Sequence, residues 1–331
     1  MGDREYAALL ERIKGRRARK ARLTSALAAA TVAVVGAPLS DAEYREWAAT
    51  IADRLGLQFP PSRAHFLRER LWARARANGL ASLNHYHTFL AGRPREWDEL
   101  ADALTVNESR FYRHEGTFDA LRERVLPELV RRREAAGRDG AADWRRLSLW
   151  SAGCSTGEEA YTLAMTALET VPLPRIWKLE VLGTDLSPRN VARARAGVYS
   201  ARRLEALPPA WRERYAAPDA GGPPGAAGLK PARDPAGGST YRMGELVRGI
   251  TTFRAHNLCD ARWGVPPQDV IVCQNVLLYF GQQERVRVLD RFYETLRPGG
   301  YLLVGAAELP TAPVRQGLRP SRLGDALAYR K

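Results

Sequence analysis

The chain has 331 residues, 45% of them hydrophobic, which is enough to bury a large domain and a smaller one and excludes a composition too polar to fold. Lys and Arg outnumber Asp and Glu by 51 to 37, and a net charge of +14 favours an anionic partner: nucleic acid, a membrane surface or an acidic protein. The three cysteines, Cys154, Cys259 and Cys273, have neither the number nor the spacing of a disulfide framework or a zinc site, so the chain reads as a reduced cytosolic protein.

The N-terminus is densely basic from Arg12 to Arg22 and mostly apolar from Leu23 to Leu39. Together these imitate a signal peptide, but the apolar run is short for a bilayer and nothing downstream requires an oxidising compartment. The segment reads instead as a helical extension or as a start site placed too early, with a targeting or membrane-associated role as the lesser alternative. Helical patterning follows. Ser40-Asp41 is placed to cap a helix running through Gly56, with Tyr44, Trp47, Ile51 and Leu55 on one face. A second helix is expected from about Ser62 to Ala77, stopped at Asn78-Gly79. Its arginines (Arg63, Arg68, Arg70, Arg74 and Arg76) read either as a solvated face or as a docking surface for an acidic partner. Two shorter helices are expected at 82–91 and 95–105.

From Leu147 the pattern changes to short apolar strands alternating with helices. The strands are expected at 147–151, 178–184, 251–255, 269–274 and 301–305. This pattern predicts a parallel sheet with helices on both faces, whose chemistry sits in the loops at the carboxyl ends of the strands. Residues 217–240, rich in Gly and Pro, break the alternation and read as an excursion outside the core. The segment 241–255 after it reads as a small β-hairpin leading into the third main strand.

The loop after the first strand carries the strongest signal. Ala152-Gly153-Cys154-Ser155-Thr156-Gly157 leads into a helix opening at Glu158. The two glycines allow a tight turn and close approach to a ligand, and the helix start offers free N–H groups. A dinucleotide loop wants G-x-G-x-x-G; here the spacing is G-x-x-x-G, followed at once by Glu158 and Glu159. Two carboxylates repel a pyrophosphate and suit a cationic ligand, although the pair also serves as a helix-dipole cap. The second strand ends at Asp185, in Gly183-Thr184-Asp185-Leu186-Ser187. An acid there either bonds both ribose hydroxyls of a nucleotide or caps the helix that starts near Pro188.

At this point four segments, in order, resemble the CheR chemotaxis methyltransferases. STGEEAY (155–161) is similar to the family's STGEE-[PA]-Y, and LTVNESRFYR (104–113) to LTTN-x-T-x-FFR. LGTDLSPRNVARARAGVYS (182–200) is similar to ATDID…LE-x-A-x-x-GxY. VCQNVLLYF (272–280), with LRPGGYLLVGAAE (296–308), is similar to F-C-R-N-V-x-IYF…L-x-PGG-x-L-x-x-G-x-SE. The resemblance covers about 38 to 331 and leaves 1–37 as an extension.

It implies an α/β fold: a Rossmann-like class I methyltransferase with a doubly wound sheet over 147–331. A small antiparallel β-subdomain would be inserted at about 201–255. An all-α N-terminal domain at 38–106 and a linker helix at 107–146 would precede it. The implied cofactor is S-adenosyl-L-methionine, with S-adenosyl-L-homocysteine as product and no metal. Asn107, Ser109 and Arg113 would reach the cofactor, with Arg113 pairing the methionine carboxylate. Gly153 would lie in the cofactor loop, Glu158 would take up the cationic part and Asp185 the ribose. Asn257 and Leu258 would flank the adenine, and Asn275 and Val276 would line the methyl-transfer site. The chain departs from the pattern at Ser109 for Thr, His114 for Glu, Gln274 for Arg, and Ala306-Ala307 for a polar pair.

The resemblance implies transfer of methyl groups to glutamate side chains of methyl-accepting chemotaxis receptors. A glutamate carboxylate is already ionised at neutral pH, so this transfer needs alignment and desolvation rather than a general base. The histidines (His65, His85, His87, His114 and His256) are accordingly read as structural. Arg131, with its neighbours Arg132 and Arg133, and Arg291 are candidates to orient the substrate carboxylate, and Tyr279 to line the same pocket. The expected partners are acidic helical bundles of the receptors, met by a cytoplasmic monomer recruited to receptor arrays. Two other readings stand beside this one. One is a non-catalytic protein that binds cofactor and docks receptor. The other is a nucleic-acid methyltransferase, which the charge favours. Amino-methylating DNA enzymes carry Asn/Asp-Pro-Pro-aromatic after the fourth strand, where this chain has Asn275-Val276-Leu277, so no nucleic acid is expected.

Overall fold

The computed structural model describes residues 39–105, 108–219, 239–305, 308, 318–324 and 326–331. The N-terminal extension, Asn107, Ala306-Ala307 and most of the Gly/Pro-rich segment lie outside the described residues. The chain divides into two compact units: residues 59–94 with the described residues up to 49, and residues 50–58 with 95–331.

The first unit is helical. Helix Asp41–Leu55 starts from a reciprocal capping box. The Glu43 N–H donates to Ser40 Oγ (3.3 Å), and the Ser40 N–H donates to a Glu43 carboxylate oxygen (2.9 Å). The stretch expected at 62–77 is a short 3₁₀ turn, Pro61–Arg63, running into helix Ala64–Ala77; helix Leu83–Leu90 follows, capped by Ser82. Leu67, Leu71, Tyr86 and Leu90 are buried, and Trp47 stacks on Tyr86 with centroids 5.7 Å apart.

The second unit is built on a seven-stranded sheet: β1 (Arg146–Ala152), β2 (Lys178–Asp185), β6 (Thr251–Ala255), β7 (Gln268–Cys273), β8 (Leu296–Val304), β9 (Arg319–Leu323) and β10 (Ala326–Arg330). The order is β6-β2-β1-β7-β8-β10-β9. The first five strands are parallel, and β10 and β9 close the edge antiparallel. Both faces are covered, which is why these strands read as nearly continuous apolar runs. Leu147 and Leu149 face one core with Val181, Val270 and Val272; Trp150 and Ala152 face the other with Ile271, Cys273 and Phe292. Cys154 and Cys273 are buried free thiols. Strand order reverses direction at β1, between β2 and β7, and that crevice is where such sheets take ligands.

A separate three-stranded antiparallel sheet holds β3 (Val198–Ser200), β5 (Thr240–Met243) and β4 (Ala216–Pro218), in that spatial order. It corrects two expectations. The inserted sheet begins before 201, and it ends at Met243. The 241–255 hairpin does not form. Gly244 instead caps a six-residue helix, Glu245–Ile250, and the chain then enters the main sheet as β6. Six residues, fewer than two helical turns, are too short to show a period.

Candidate active site

The loop after β1 is held open by its two glycines. Gly153 has φ +86° and Gly157 φ +99°. A Cβ on Gly153 would come within 2.3 Å of Val276 Cγ2, and one on Gly157 within 2.7 Å of Ala194 Cβ. Any side chain at either position is both strained and blocked. The N–H groups of Gly153 and Cys154 both donate to the Thr184 carbonyl at 2.8 Å, fastening the loop to the end of β2.

Asp185 organises the next loop. Its Oδ2 accepts the Ser155 N–H at 2.8 Å, and its Oδ1 accepts the Ser187 N–H at 3.0 Å and the Asn190 amide at 3.2 Å. Burial pushes its carboxyl above the usual range, against the pull of those donors. The capping role falls to Ser187, which accepts the Asn190 N–H at 2.9 Å as helix Pro188–Ala196 begins. Asp185 is therefore not the cap. Helix Pro94–Leu104 braces this loop: Asp102 accepts the Ser187 hydroxyl and pairs with Arg189 at 2.9 Å. Burial raises Asp102 to about 6, with Arg189 opposing.

The two acids that open helix Glu158–Thr170 go different ways. Glu158 is fully buried and committed: Arg203 pairs with it, and the Thr156 hydroxyl donates to it at 2.7 Å. Glu159 accepts the Ser151 hydroxyl at 2.6 Å at the carboxyl end of β1. Burial pushes Glu159 up to about 8; the Ser151 hydrogen bond and Arg113 pull it down, and Glu308 pushes it further up. Glu159, and not Glu158, is thus the acid left facing the crevice. Consecutive helical residues lie about 100° apart, so sequence alone does not say which of the two is turned inward.

Arg113 is partly buried, its guanidinium donating to the Glu108 carbonyl at 2.8 Å, and Ser109 is partly buried beside Glu108. Across the crevice, the loop after β7 is pinned by a carboxylate absent from the sequence-derived site. Glu308, 1% exposed, accepts the N–H groups of Val276, Leu277 (2.7 Å) and Gly305 (2.8 Å). Its signal was the acid that ends the LRPGGYLLVGAAE run. Asn275 is held with φ +61°, its Oδ1 2.6 Å from His114 Nε2. His114 therefore belongs to the site, against its reading as a scattered structural histidine. His256 fits that reading: it packs between Trp150 and Trp263, and burial lowers it to about 4.

In the loop after β6, the Asn257 amide donates to the Arg54 carbonyl at 3.1 Å and its Oδ1 accepts the Cys259 N–H at 2.9 Å, so its side chain shapes the loop. Leu258 is buried against the second core. Arg291 is a correction: its guanidinium donates to the carbonyls of Leu258 and Asp260, which makes it a brace for this loop and removes it from the substrate-orienting set. Tyr279, partly buried, follows Val276 on the 3₁₀ turn Leu277–Tyr279, and its carbonyl accepts the Gln58 N–H at 2.8 Å. Arg131 is a second correction. On helix Leu126–Arg138, Arg133 pairs with Asp269 at the start of β7, and Arg132 donates to the Gly299 carbonyl early in β8 at 3.2 Å. These contacts lie at the amino ends of the strands. Arg131, exposed and one residue (about 1.5 Å of rise) away, shares that edge. The opposite edge of the sheet holds the crevice.

Similarity to known proteins agrees with this geometry. Residues 107–224 and 233–316 match the family described as CheR methyltransferase, SAM binding domain, and residues 42–105 match CheR methyltransferase, all-alpha domain. Fold, loops and these matches define an S-adenosylmethionine-dependent methyltransferase. A chemotaxis protein methyltransferase of Vibrio parahaemolyticus is 32% identical over 278 residues, covering 82% of this chain and 90% of the relative. That of Escherichia coli K12 is 30% identical over 274 residues, covering 82% and 85%. Chemotaxis protein methyltransferase 1 of Pseudomonas aeruginosa is 35% identical over 214 residues, covering 63% and 68%. The chain belongs to the CheR methyltransferase family, and its chemistry is methyl transfer from S-adenosylmethionine in chemotaxis.

The residues present fit that cofactor. Ser155 Oγ, in the glycine loop beside Asp185, is buried with no hydrogen-bond partner among the described residues. Asp185 offers a carboxylate to a diol, and Glu159 a carboxylate to a cation. No group of side chains suited to hold a metal ion occurs among the described residues.

Proposed function

We propose that the chain methylates glutamate side chains of chemoreceptors, giving methyl esters. The observation that carries this reading is the absence of an uncommitted base at the crevice among the described residues. Glu308 is occupied by three backbone donors, Glu158 by Arg203, and Asp185 by loop N–H groups on one side and by the ribose of the bound donor on the other. His114 Nε2 faces Asn275, and Glu159, its carboxyl pushed up to about 8 by burial, is committed to the donor's ammonium once the cofactor is bound. A nucleophile that arrives already ionised suits such a site; a hydroxyl or amide would not.

S-adenosylmethionine, when bound, supplies a methyl group activated on a sulfonium sulfur. Asp185 accepts from the ribose, Glu159 receives the ammonium and Arg113 the methionine carboxylate. Gly153 and Val276 enclose the donor, and Asn275 and Tyr279 border the acceptor. In the helical unit, Arg63 lies over Phe59 and Phe66 and Arg70 over Phe66, which lays part of the +14 charge on an aromatic-backed face of helix Ala64–Ala77. That face suits an acidic helical bundle. In this reading the protein works as a cytoplasmic monomer recruited to the receptor array.

The test is methyl transfer from radiolabelled S-adenosylmethionine to receptor-bearing membranes. Base-labile label on receptor is expected, with initial rates falling as salt rises, because surface attraction is screened within about 10 Å at 0.1 M salt. Label on DNA instead, or cofactor binding without any transfer, overturns the reading.

A pH dependence follows from Glu159. Its folded value is raised, so the cofactor-free protein binds a proton there that the unfolded chain gives up in the ordinary carboxylate range. Stability from this group is greatest below that range and is lost as pH rises towards 8. A cation at Glu159 favours the ionised form and releases the proton. Affinity for S-adenosylhomocysteine should therefore rise with pH, by up to about tenfold per unit between about pH 5.5 and 7. Titration calorimetry in buffers of different ionisation enthalpy should show the released proton, and Glu159→Gln should flatten the slope. An unchanged slope in that variant would remove Glu159 from the cation site.

A further inference from the structure

The segments 114–117 and 274–275 meet in two side-chain bonds. His114 Nε2 lies 2.6 Å from Asn275 Oδ1, and Gln274 Nε2 donates to Thr117 Oγ1 at 2.8 Å. Of the three departures from the family pattern that fall on described residues, Ser109 for Thr lies elsewhere, and His114 for Glu and Gln274 for Arg lie in this one joint. At adjoining contacts an imidazole stands in place of a carboxylate and an amide in place of a guanidinium. His114 and Asn275 both sit in the left-handed backbone region, at φ +62° and +61°. Non-glycine residues keep that conformation only where their surroundings hold them, and such sites cluster where function demands a fixed geometry.

The chemistry of the pair sets a direction. An amide oxygen only accepts, so the hydrogen of the 2.6 Å bond belongs to His114 Nε2. With Oδ1 occupied, the free face of the Asn275 amide is its NH₂ group, a pure donor. Asn275 precedes Val276, whose methyls abut Gly153 in the cofactor loop. The carboxyl groups of Glu159, Glu308 and Asp185 already gather around this crevice, and an incoming carboxylate needs a donor among them.

We propose that His114 fixes the amide of Asn275 with its Nδ2 hydrogens presented to the substrate carboxylate, which makes His114 a positioning residue for the acceptor oxygen. This deepens the reading of the chain as a carboxylate methyltransferase and rests on it. In the family pattern a glutamate at 114 goes with an arginine at 274, which brings its own positive charge to the joint; beside Gln274 a glutamate at 114 would reverse the amide, its carboxylate accepting from Nδ2 and turning Oδ1, a lone pair, towards the anionic substrate. A glutamine would keep a donor on Oδ1 and leave the amide as it is.

The test compares His114→Glu with His114→Gln in receptor methylation, with S-adenosylhomocysteine affinity measured on each by calorimetry. Losing a hydrogen bond to a charged oxygen lowers kcat/KM for receptor in His114→Glu by roughly ten- to a hundredfold. His114→Gln should stay within about threefold of the parent, and both variants should bind S-adenosylhomocysteine within about threefold, because only the amide's direction changes. The gap between the two variants should persist at about 1 M salt, where direct repulsion of the substrate by the new charge is screened beyond about 3 Å. Equal transfer by the two variants overturns the proposal, as does a gap that closes at high salt or a loss of S-adenosylhomocysteine binding in His114→Glu. Failure of the parent protein to label receptor, with S-adenosylhomocysteine binding intact, overturns the carboxylate-methyltransferase reading itself.

Discussion

Asp185→Asn should weaken S-adenosylhomocysteine binding about a hundredfold, as expected for losing one or two hydrogen bonds to a charged acceptor, and should barely change thermal stability. The two effects separate because Asp185 plays opposite parts in the two states. Each carboxylate oxygen accepts a backbone N–H, Oδ2 from Ser155 and Oδ1 from Ser187, yet burial still pushes the carboxyl up. Without ligand, the protein carries a buried charge that it has only partly compensated. Asparagine removes that cost, and it gives up one loop bond where its NH₂ meets a backbone donor. The two changes oppose each other in the unliganded protein. In the complex they act together, because the diol loses a charged acceptor and the loop that presents it loosens. Calorimetry with S-adenosylhomocysteine, alongside a thermal melt, checks both halves. An affinity within about threefold of the parent, the size of ordinary surface effects, would mean that the ribose is held elsewhere. Asp185→Ala is the harsher companion, since it orphans the Ser155 and Ser187 N–H groups as well as the Asn190 amide, and it should melt lower.

Much of this arrangement was legible because burial on both faces of a parallel sheet leaves a plain mark. The run Leu147-Ser148-Leu149-Trp150 is buried throughout, with Leu147 and Leu149 entering one core and Trp150 the other. Strand β6 is legible at its observed bounds too, although it is an edge strand whose residues alternate between buried and exposed. Gly153 and Gly157 were legible because their backbone angles leave few other residues open to those positions. The direction in which a charged side chain turns was not legible. Glu158 and Glu159 are equal as letters, and only the packing of Arg203 against Glu158 separates them. Arg291 and Arg131 stand out in the sequence by charge alone. Whether a guanidinium meets a substrate or a backbone carbonyl depends on which loop lies opposite, here the 258–260 loop for Arg291. The importance of His114 was hidden because its partner, Asn275, lies 161 residues away.

Glu308→Ala should be the most damaging single change at the crevice, and it should act without touching any ligand. One carboxylate, 1% exposed, satisfies the N–H groups of Val276, Leu277 and Gly305, and so ties the loop after β7 to the end of β8. Removing it leaves three backbone donors facing a void. A cost of about 3–5 kcal/mol follows from orphaning buried donors that had shared one charged acceptor. For a domain of this size that corresponds to a fall in Tm of about 10 °C. Glu308→Gln sharpens the test. Its remaining oxygen serves Val276 and Leu277, but its NH₂ then opposes the Gly305 N–H, so a loss of roughly half the alanine effect is expected. Cofactor affinity should fall with stability in both variants, because Asn275 and Val276 take their positions from this anchor. A Glu308→Ala protein that melts within about 2 °C of the parent, a shift worth under 1 kcal/mol, would show that the loop is held by packing alone.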